Sequence, residues 1–169
     1  MRCRGLKGLL ALLFASSLRI VRGGGKVEGF KLVVDGEPFL VKGICYSPVP
    51  IGENTAFPPY GDYFTPEFAY IWRRDLRLIK AMGANTLRIY GWNNTVDHSL
   101  FLDEVKAYGL KALITFYLGS ATQHPVSTPE QRQGLVDDFG NQVKMYANHS
   151  AVLMWYCNSA DFSLRAYRA

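Results

Sequence analysis

Aromatic and amide side chains recur where predicted buried strands end, and these are the residues of this 169-residue chain with types suited to chemistry. The clearest case is the stretch WYCNS, residues 155–159, where an apolar run leads to a Trp and then to an Asn. A carboxylic acid directly after Asn158 would supply a general acid or base. Ser159 stands there instead, and a Ser hydroxyl is not a proton donor near neutral pH. The stretch therefore indicates a strand end without its acid.

Three earlier strand ends carry the same residue types, in the stretches CYSP, RIYGWNN and FYLGS. Arg88 lies in a run of otherwise apolar residues, and a buried Arg is costly unless it is paired. A structural ion pair with a nearby acid is one explanation of Arg88, and a ligand contact is the other. The candidate ligand-binding residues are Tyr46, Arg88, Tyr90, Trp92, Tyr117 and Asn158.

Apolar periodicity predicts the elements that would position these residues. Asp35-Gly36 separates two apolar runs and predicts a β-hairpin over 30–42. The helices are predicted to begin at Thr65-Pro66, at Asp97 as a cap, and at a Thr128–Gln131 capping box. Residues 49–65 form a long loop that is either functional or packed by its own aromatic side chains. The predicted strands are 43–48, 84–92, 110–118 and 151–156, with helices ending at Gly83, Gly109 and about Ala147.

Strand–helix alternation predicts right-handed βαβ units and a parallel sheet of four strands. Four βα steps suit either a small doubly wound sheet or half of an eight-stranded barrel. The sequence has no G-x-G-x-x-G motif after the first strand, so nucleotide binding by a doubly wound sheet has no support. Aromatics and amides at the strand ends favour the barrel, where ligands lie at that face. The predicted fold is α/β, a partial (β/α)8 TIM barrel of about four βα units over residues 30–158, preceded by the hairpin. Residues 159–169 have no periodicity and are predicted to be an irregular tail.

The amino terminus has the pattern of a leader. Residues 1–22 combine a basic start with a short apolar core, which predicts a signal peptide, and residues 23–29 are predicted to be a flexible lead-in. An uncleaved anchor and a plain extension are the alternatives. The sequence thus predicts secretion, to the cell surface or cell wall, with no membrane span beyond the leader. Asn93 and Asn148 begin sequons and are predicted glycosylation sites.

The net charge of +5 comes from the leader. Residues 1–26 hold six of the 19 basic residues and no acidic one, which leaves 13 basic against 14 acidic residues in the remainder. The basic balance is therefore no argument for a nucleic-acid partner.

Cysteines and histidines are too few and too scattered for a zinc signature, so neither a metal nor another cofactor is predicted. Cys45 and Cys157 either pair with each other or remain free, and the favoured interpretation of Cys45 is a buried small apolar residue. His98 and His124 are expected to be solvated loop or helix-start residues rather than metal ligands.

Residues 73–120 resemble the second and third βα units of clan-A glycoside hydrolases, and most closely the fungal β-1,3-glucanosyltransferases of glycoside hydrolase family 72. The upstream stretch VVDGEPFLVKGICYSPVP is similar to the hairpin and first strand of the same clan, including family 2 catalytic domains. The resemblance is carried by Arg74-Asp75-Leu76, Leu78-Ile79-Lys80, Gly83-Ala84-Asn85, Leu87-Arg88-Ile89-Tyr90 and Asp97-His98.

The resemblance implies roles for the candidate residues. In the clan a Glu follows the strand-four Asn as general acid/base, and a second Glu after strand seven is the nucleophile. This chain lacks both Glu positions, so no catalytic residue is intact and Asn158 and Ser159 are the nearest remnants. By resemblance Arg88 would bond the nucleophilic carboxylate and Asn158 a sugar hydroxyl. Tyr46, Tyr90, Trp92 and Tyr117 would contact the sugar through ring faces and hydroxyls.

The expected function is that of a carbohydrate-active protein resembling a retaining β-glycosidase or a β-1,3-glucanosyltransferase. Its expected partner is a polysaccharide or oligosaccharide such as β-glucan. The pattern stops abruptly near residue 157, which favours an inactive truncated or frame-shifted form over a true short pseudo-enzyme. The alternative function is a non-catalytic glycan-binding module.

Overall fold

The structure, a computed structural model, describes residues 25–117 and 128–158, without the side chains of residues 117, 157 and 158. The predicted signal peptide, His124, Ser159 and the tail 159–169 lie outside the described residues. The strands are β1 Gly25–Glu28, β2 Lys31–Val34, β3 Glu37–Pro38, β4 Gly43–Tyr46, β5 Thr86–Ile89, β6 Lys111–Tyr117 and β7 Val152–Asn158. The helices are α1 Ala69–Ala81, preceded by a 3-10 turn over Pro66–Phe68, α2 Ser99–Ala107 and α3 Pro129–Tyr146.

The predicted hairpin is present as β2 and β3, and its turn has the expected residues. Asp35 and Gly36 both have positive φ, 54° and 88°, which is the backbone of a type I′ turn. The structure differs from the prediction just upstream. Residues 25–28, expected within a flexible lead-in, form β1 and pair antiparallel with β2, so the hairpin becomes a three-stranded sheet. Backbone pairing along β2 supplies the order that the local sequence did not signal.

The four remaining strands form a parallel sheet in the order β4-β5-β6-β7. Each strand lies beside the next in sequence, and the intervening helices contribute to one core on one face of the sheet. A doubly wound sheet has helices on both faces and a reversal of strand order. The described residues show neither feature, so the doubly wound alternative is wrong and the α/β fold with a parallel sheet is confirmed.

The core lies between the sheet and the helices. Leu87, Ile89 and Ile114 come from the strands and are fully buried. Period-2 alternation directs these residues to the helix side and their sequence neighbours to the other side. The helices contribute residues at helical spacing, namely Trp72, Leu76 and Ile79 from α1, Phe101, Leu102 and Val105 from α2, and Tyr146 from α3.

The predicted capping box of α3 is confirmed, whereas Asp97 lies one residue before the N-cap of α2, which is His98. The Thr128 side chain accepts a hydrogen bond from the Gln131 backbone N–H, and the Gln131 side chain accepts one from Thr128 N–H, which completes the capping box of α3. Asp97 accepts hydrogen bonds from the Ser99 backbone N–H at 3.0 Å and from the Ser99 hydroxyl at 2.6 Å. These bonds, the hydroxyl first, lower the pKa of the Asp97 carboxyl. A carboxylate at this position also suits the dipole of α2.

Candidate functional site

The parallel sheet has a face that the helices do not cover, and we call it the open face. Strand register aligns Cys45 with Arg88, Arg88 with Leu113, and Leu113 with Met154. Cys45, Met154 and Tyr156 are exposed there. The open face includes Cys45, Arg88, Tyr90, Leu113, Met154 and Tyr156, and by strand alternation also Thr86 and Thr115, which are 2% and 1% exposed. The prediction that Cys45 is buried is wrong, because Cys45 alternates with the buried Tyr46 and so lies on the uncovered side.

Arg88 is held between two aromatic rings on the open face. Its guanidinium carbon lies 4.9 Å from the centroid of Tyr90 and 4.6 Å from that of Tyr156. Both distances are within the range of a cation–π interaction. No acidic side chain of the described residues forms an ion pair with Arg88, and its Nε is buried without a hydrogen-bond partner there. The alternative that Arg88 is paired to a nearby acid therefore finds no support in the part of the chain described.

The Tyr90 hydroxyl lies at the same site, 3.6 Å from Cys45 Sγ. This contact and the partial burial of the ring raise the pKa of Tyr90, against the lowering effect of the nearby Arg88 cation. The hydroxyl therefore stays protonated near neutral pH and can donate or accept one hydrogen bond. Arg88, Tyr90 and Tyr156 together present a planar cation, a hydroxyl and two ring surfaces.

Tyr46 does not lie beside Arg88, Tyr90 and Tyr156. It lies on the helix side of the sheet, where its hydroxyl donates to Asp75 Oδ2 at 3.1 Å and its ring packs on Phe64 at 6.2 Å. Burial, followed by the charge of Asp75, raises the pKa of Tyr46. These contacts explain Tyr46 as a bridge between β4 and α1.

Trp92 also lies in the core, on the helix side of the sheet. Its ring is 7% exposed and stacks on the His98 ring with the centroids 3.9 Å apart. The prediction that His98 is solvated is wrong, although it does directly precede α2. His98 is 1% exposed and its Nε2 lies 2.8 Å and 3.0 Å from the two oxygens of Asp62. This buried hydrogen-bonded contact with Asp62 explains why His98 lies inside the protein.

The remaining predicted residues lie at strand ends or on the surface. Tyr117 and Asn158 end β6 and β7 and are register partners, so their backbones are adjacent at the carboxyl edge, while their side chains lie outside the described residues. The two sequon residues, Asn93 and Asn148, are exposed. Asn93 Oδ1 accepts hydrogen bonds from the Thr95 N–H and hydroxyl.

Sequence reasoning missed two residues, Tyr156 and Asp62. Strand alternation could have identified Tyr156, because Trp155 lies on the helix side and the next residue must face the opposite side of the sheet. Asp62 carries no such signal, since it lies in an aromatic-rich loop 36 residues from its partner.

Within residues 25–117 and 128–158, no group of three or more His, Cys, Asp or Glu side chains is placed to hold a metal ion. In the same residues, no helix has the length and apolar character that crossing a membrane requires.

No protein-family profile matches the sequence, and no curated protein matches it. Solved structures do match. Saccharomyces cerevisiae Gas2p in complex with laminaripentaose aligns with a TM-score of 0.60 and 23% identity over 79% of this chain and 30% of that chain. The same yeast protein in complex with laminaritriose and laminaritetraose aligns with a TM-score of 0.60 and 21% identity over 79% of this chain and 29% of that one.

These matches establish a shared fold. The chain spans about 30% of the length of the structures it matches. The resemblance to glycoside hydrolase family 72 that the sequence predicts is therefore confirmed at the level of the fold.

Proposed function

We propose that residues 30–158 are the amino-terminal half of a (β/α)8 barrel and that the open face is part of the inner wall of that barrel. Three observations support the proposal: the sequential parallel order β4-β5-β6-β7, the helices on one face only, and the similarity to Gas2p. Eight such strands enclose an interior that side chains can fill. The arrangement would explain why a sheet with an apolar helix side has Arg88 and two Tyr rings on the other.

We further propose that the protein is carbohydrate-active and takes a β-1,3-glucan chain at the carboxyl edge of the sheet. The observation that carries this is the placement of Arg88 between Tyr90 and Tyr156 on the uncovered side of the sheet. Aromatic rings bind the C–H faces of sugars, and hydroxyl and guanidinium groups bind sugar hydroxyls. Gas2p has been crystallised with oligosaccharides of this linkage. Tyr117 and Asn158, at the ends of the adjacent strands, are proposed as further contacts.

Secretion, the leader and glycans on Asn93 and Asn148 belong to the same proposal. A glycan-acting protein of the cell surface or cell wall meets its substrate outside the cell. The exposure of both sequon asparagines supports their use as acceptors.

Binding is tested by retention of the 169-residue chain on insoluble β-1,3-glucan, with cellulose, a β-1,4-glucan, as the linkage control. We expect Tyr90→Ala and Tyr156→Ala each to weaken retention by about tenfold, because each removes one ring contact worth about 1.4 kcal/mol. Tyr70→Ala is the matched control, since Tyr70 is an exposed Tyr on α1. Equal retention of the Tyr90 and Tyr70 variants would remove Tyr90 from the site.

The alternative function is a non-catalytic glycan-binding module, in which the Tyr156 ring, 44% exposed, would contact the glycan without turnover. It predicts retention as strong as that of Gas2p in a parallel assay. A half-barrel, which offers one wall of a cleft, predicts much weaker retention than Gas2p.

Turnover gives a separate prediction. Retaining glycosidases need two carboxyl groups about 5–5.5 Å apart. In this chain Ser159 and Ala160 follow Asn158, and none of the open-face residues named above is acidic. We expect incubation with laminarin-type β-1,3-glucan and with β-glucosides to release or transfer no sugar. Turnover that Arg88→Ala abolishes would show that an active site is present after all.

A further inference from the structure

Two loops meet above the carboxyl ends of β4 and β5. We call residues 49–65 loop A and residues 90–98 loop B. Loop B begins with Tyr90 of the open face. The backbones of the loops touch at two glycines: a Cβ added to Gly91 would lie 2.5 Å from both the carbonyl carbon and the oxygen of Gly61. Contact this close fixes the spacing of the loops, since no other residue type fits at Gly91.

A buried hydrogen-bonded pair joins the same loops, between the residue that follows Gly61 and the residue seven positions after Gly91. Asp62 follows Gly61, and His98 ends loop B, with side chains 3% and 0% exposed. An ionised carboxylate only accepts hydrogen bonds, so His98 Nε2 carries the hydrogen and donates it to Asp62. Removing one member of a buried pair leaves the other without compensation, which is strongly destabilising.

The His98 side of the pair is anchored to the rest of the protein. Its ring stacks on Trp92 at an interplanar angle of 29°, and its backbone N–H donates to the Tyr146 hydroxyl at 2.8 Å. That hydroxyl in turn donates to Asp97 Oδ1 at 3.3 Å. Loop B therefore contacts loop A at Gly91 and again at His98, and it contacts α3 at His98.

Loop A has its own rigid attachment. Phe64 is 1% exposed and packs on Phe101 of α2 with the ring centroids 4.8 Å apart. Tyr63 is fully buried and meets the Phe68 ring edge-on at 5.0 Å. Of the loop A aromatics, Tyr63 and Phe64 are packed in this way, whereas Phe57 and Tyr60 are 65% and 66% exposed, and Asp62 directly precedes the packed pair.

We propose that Asp62 and His98 are positioning residues for the glycan site, and that the buried contact between them fixes loop B so that Tyr90 stays beside Arg88. Neither residue belongs to the open face, and they act through the loop they hold. The inference rests on the proposed glycan function for its binding consequence. Its structural part, the immobilisation of loop B by Asp62, stands independently.

The test compares Asp62→Ala and Asp62→Asn in the 169-residue chain. Asn keeps an oxygen that accepts the His98 hydrogen, whereas Ala leaves His98 buried without a partner. We expect Asp62→Ala to weaken retention on β-1,3-glucan by about tenfold and to raise amide hydrogen exchange across residues 90–98. For Asp62→Asn, both the retention on glucan and the hydrogen exchange of residues 90–98 should stay within about threefold of the values for the unchanged chain.

Val105→Ala is the control for general destabilisation, because Val105 is fully buried in α2 but is not part of the contact between Asp62 and His98. It should lower thermal stability and leave retention and loop B exchange unchanged at temperatures where the chain is folded. If Asp62→Ala leaves loop B exchange unchanged, or if Val105→Ala has the same effect on loop B, the proposal is wrong. If the unchanged chain is not retained on glucan, the proposed function fails and hydrogen exchange alone decides the role of Asp62.

Discussion

Gly91→Ala is expected to lower the free energy of unfolding by about 3 kcal/mol or more. Gly91 has φ of +71°, which costs an L-residue about 1 kcal/mol. The larger part is steric, since the new methyl would lie 2.5 Å from the Gly61 backbone and 2.9 Å from Gly61 Cα. Backbone cannot rotate away as a side chain would, so loops A and B must separate. Urea denaturation followed by far-ultraviolet circular dichroism measures the loss.

The variant Gly83→Ala distinguishes the cost of a positive φ from the cost of steric overlap with the Gly61 backbone. Gly83 also has positive φ, +84°, and an added Cβ there meets nothing within 4 Å. Gly83→Ala should therefore lower the free energy of unfolding only by the cost of the positive φ, about 1 kcal/mol. Similar losses for the two variants would mean that the contact between the loops does not constrain the chain.

Much of the fold could be predicted from local signals. The Asp35-Gly36 turn, the Thr128 capping box and the alternating strands and helices all specify structure within a few residues. Strand β1 was the exception, because residues 25–28 are ordered by pairing with β2 and have no apolar period of their own. Pairing partners are a tertiary property that a short segment does not encode.

The site was harder to predict, because it depends on the register between strands. Arg88 and Tyr90 share a face by alternation alone, and this could be read from the sequence. Whether Cys45 or Tyr46 joins them depends on how β4 aligns with β5, and parallel register is set by packing of the whole sheet. The structure aligns Cys45 with Arg88, which directs Tyr46 to the helix side.

The Asp62–His98 pair shows a second limit. Its members are 36 residues apart, and nothing near either of them distinguishes a buried hydrogen-bonded pair from two solvated polar side chains. The position of Trp92 depends on the same contact, because its ring stacks on the His98 ring. A long-range polar contact of this kind can be recognised only when the positions of loop A and loop B are both known.

Leu87→Ala is expected to lower the free energy of unfolding by about 3–5 kcal/mol, whereas Leu113→Ala is expected to cost about 1 kcal/mol. Leu87 is fully buried on the helix side, and truncating it leaves a cavity among packed side chains. Leu113, the register partner of Arg88 on the next strand, is only half-buried on the open face. The substitution is the same in both cases, so the difference measures how much protein covers each face. Comparable losses would mean that the open face is packed in the 169-residue chain, and the half-barrel proposal would then lose the uncovered wall on which it depends.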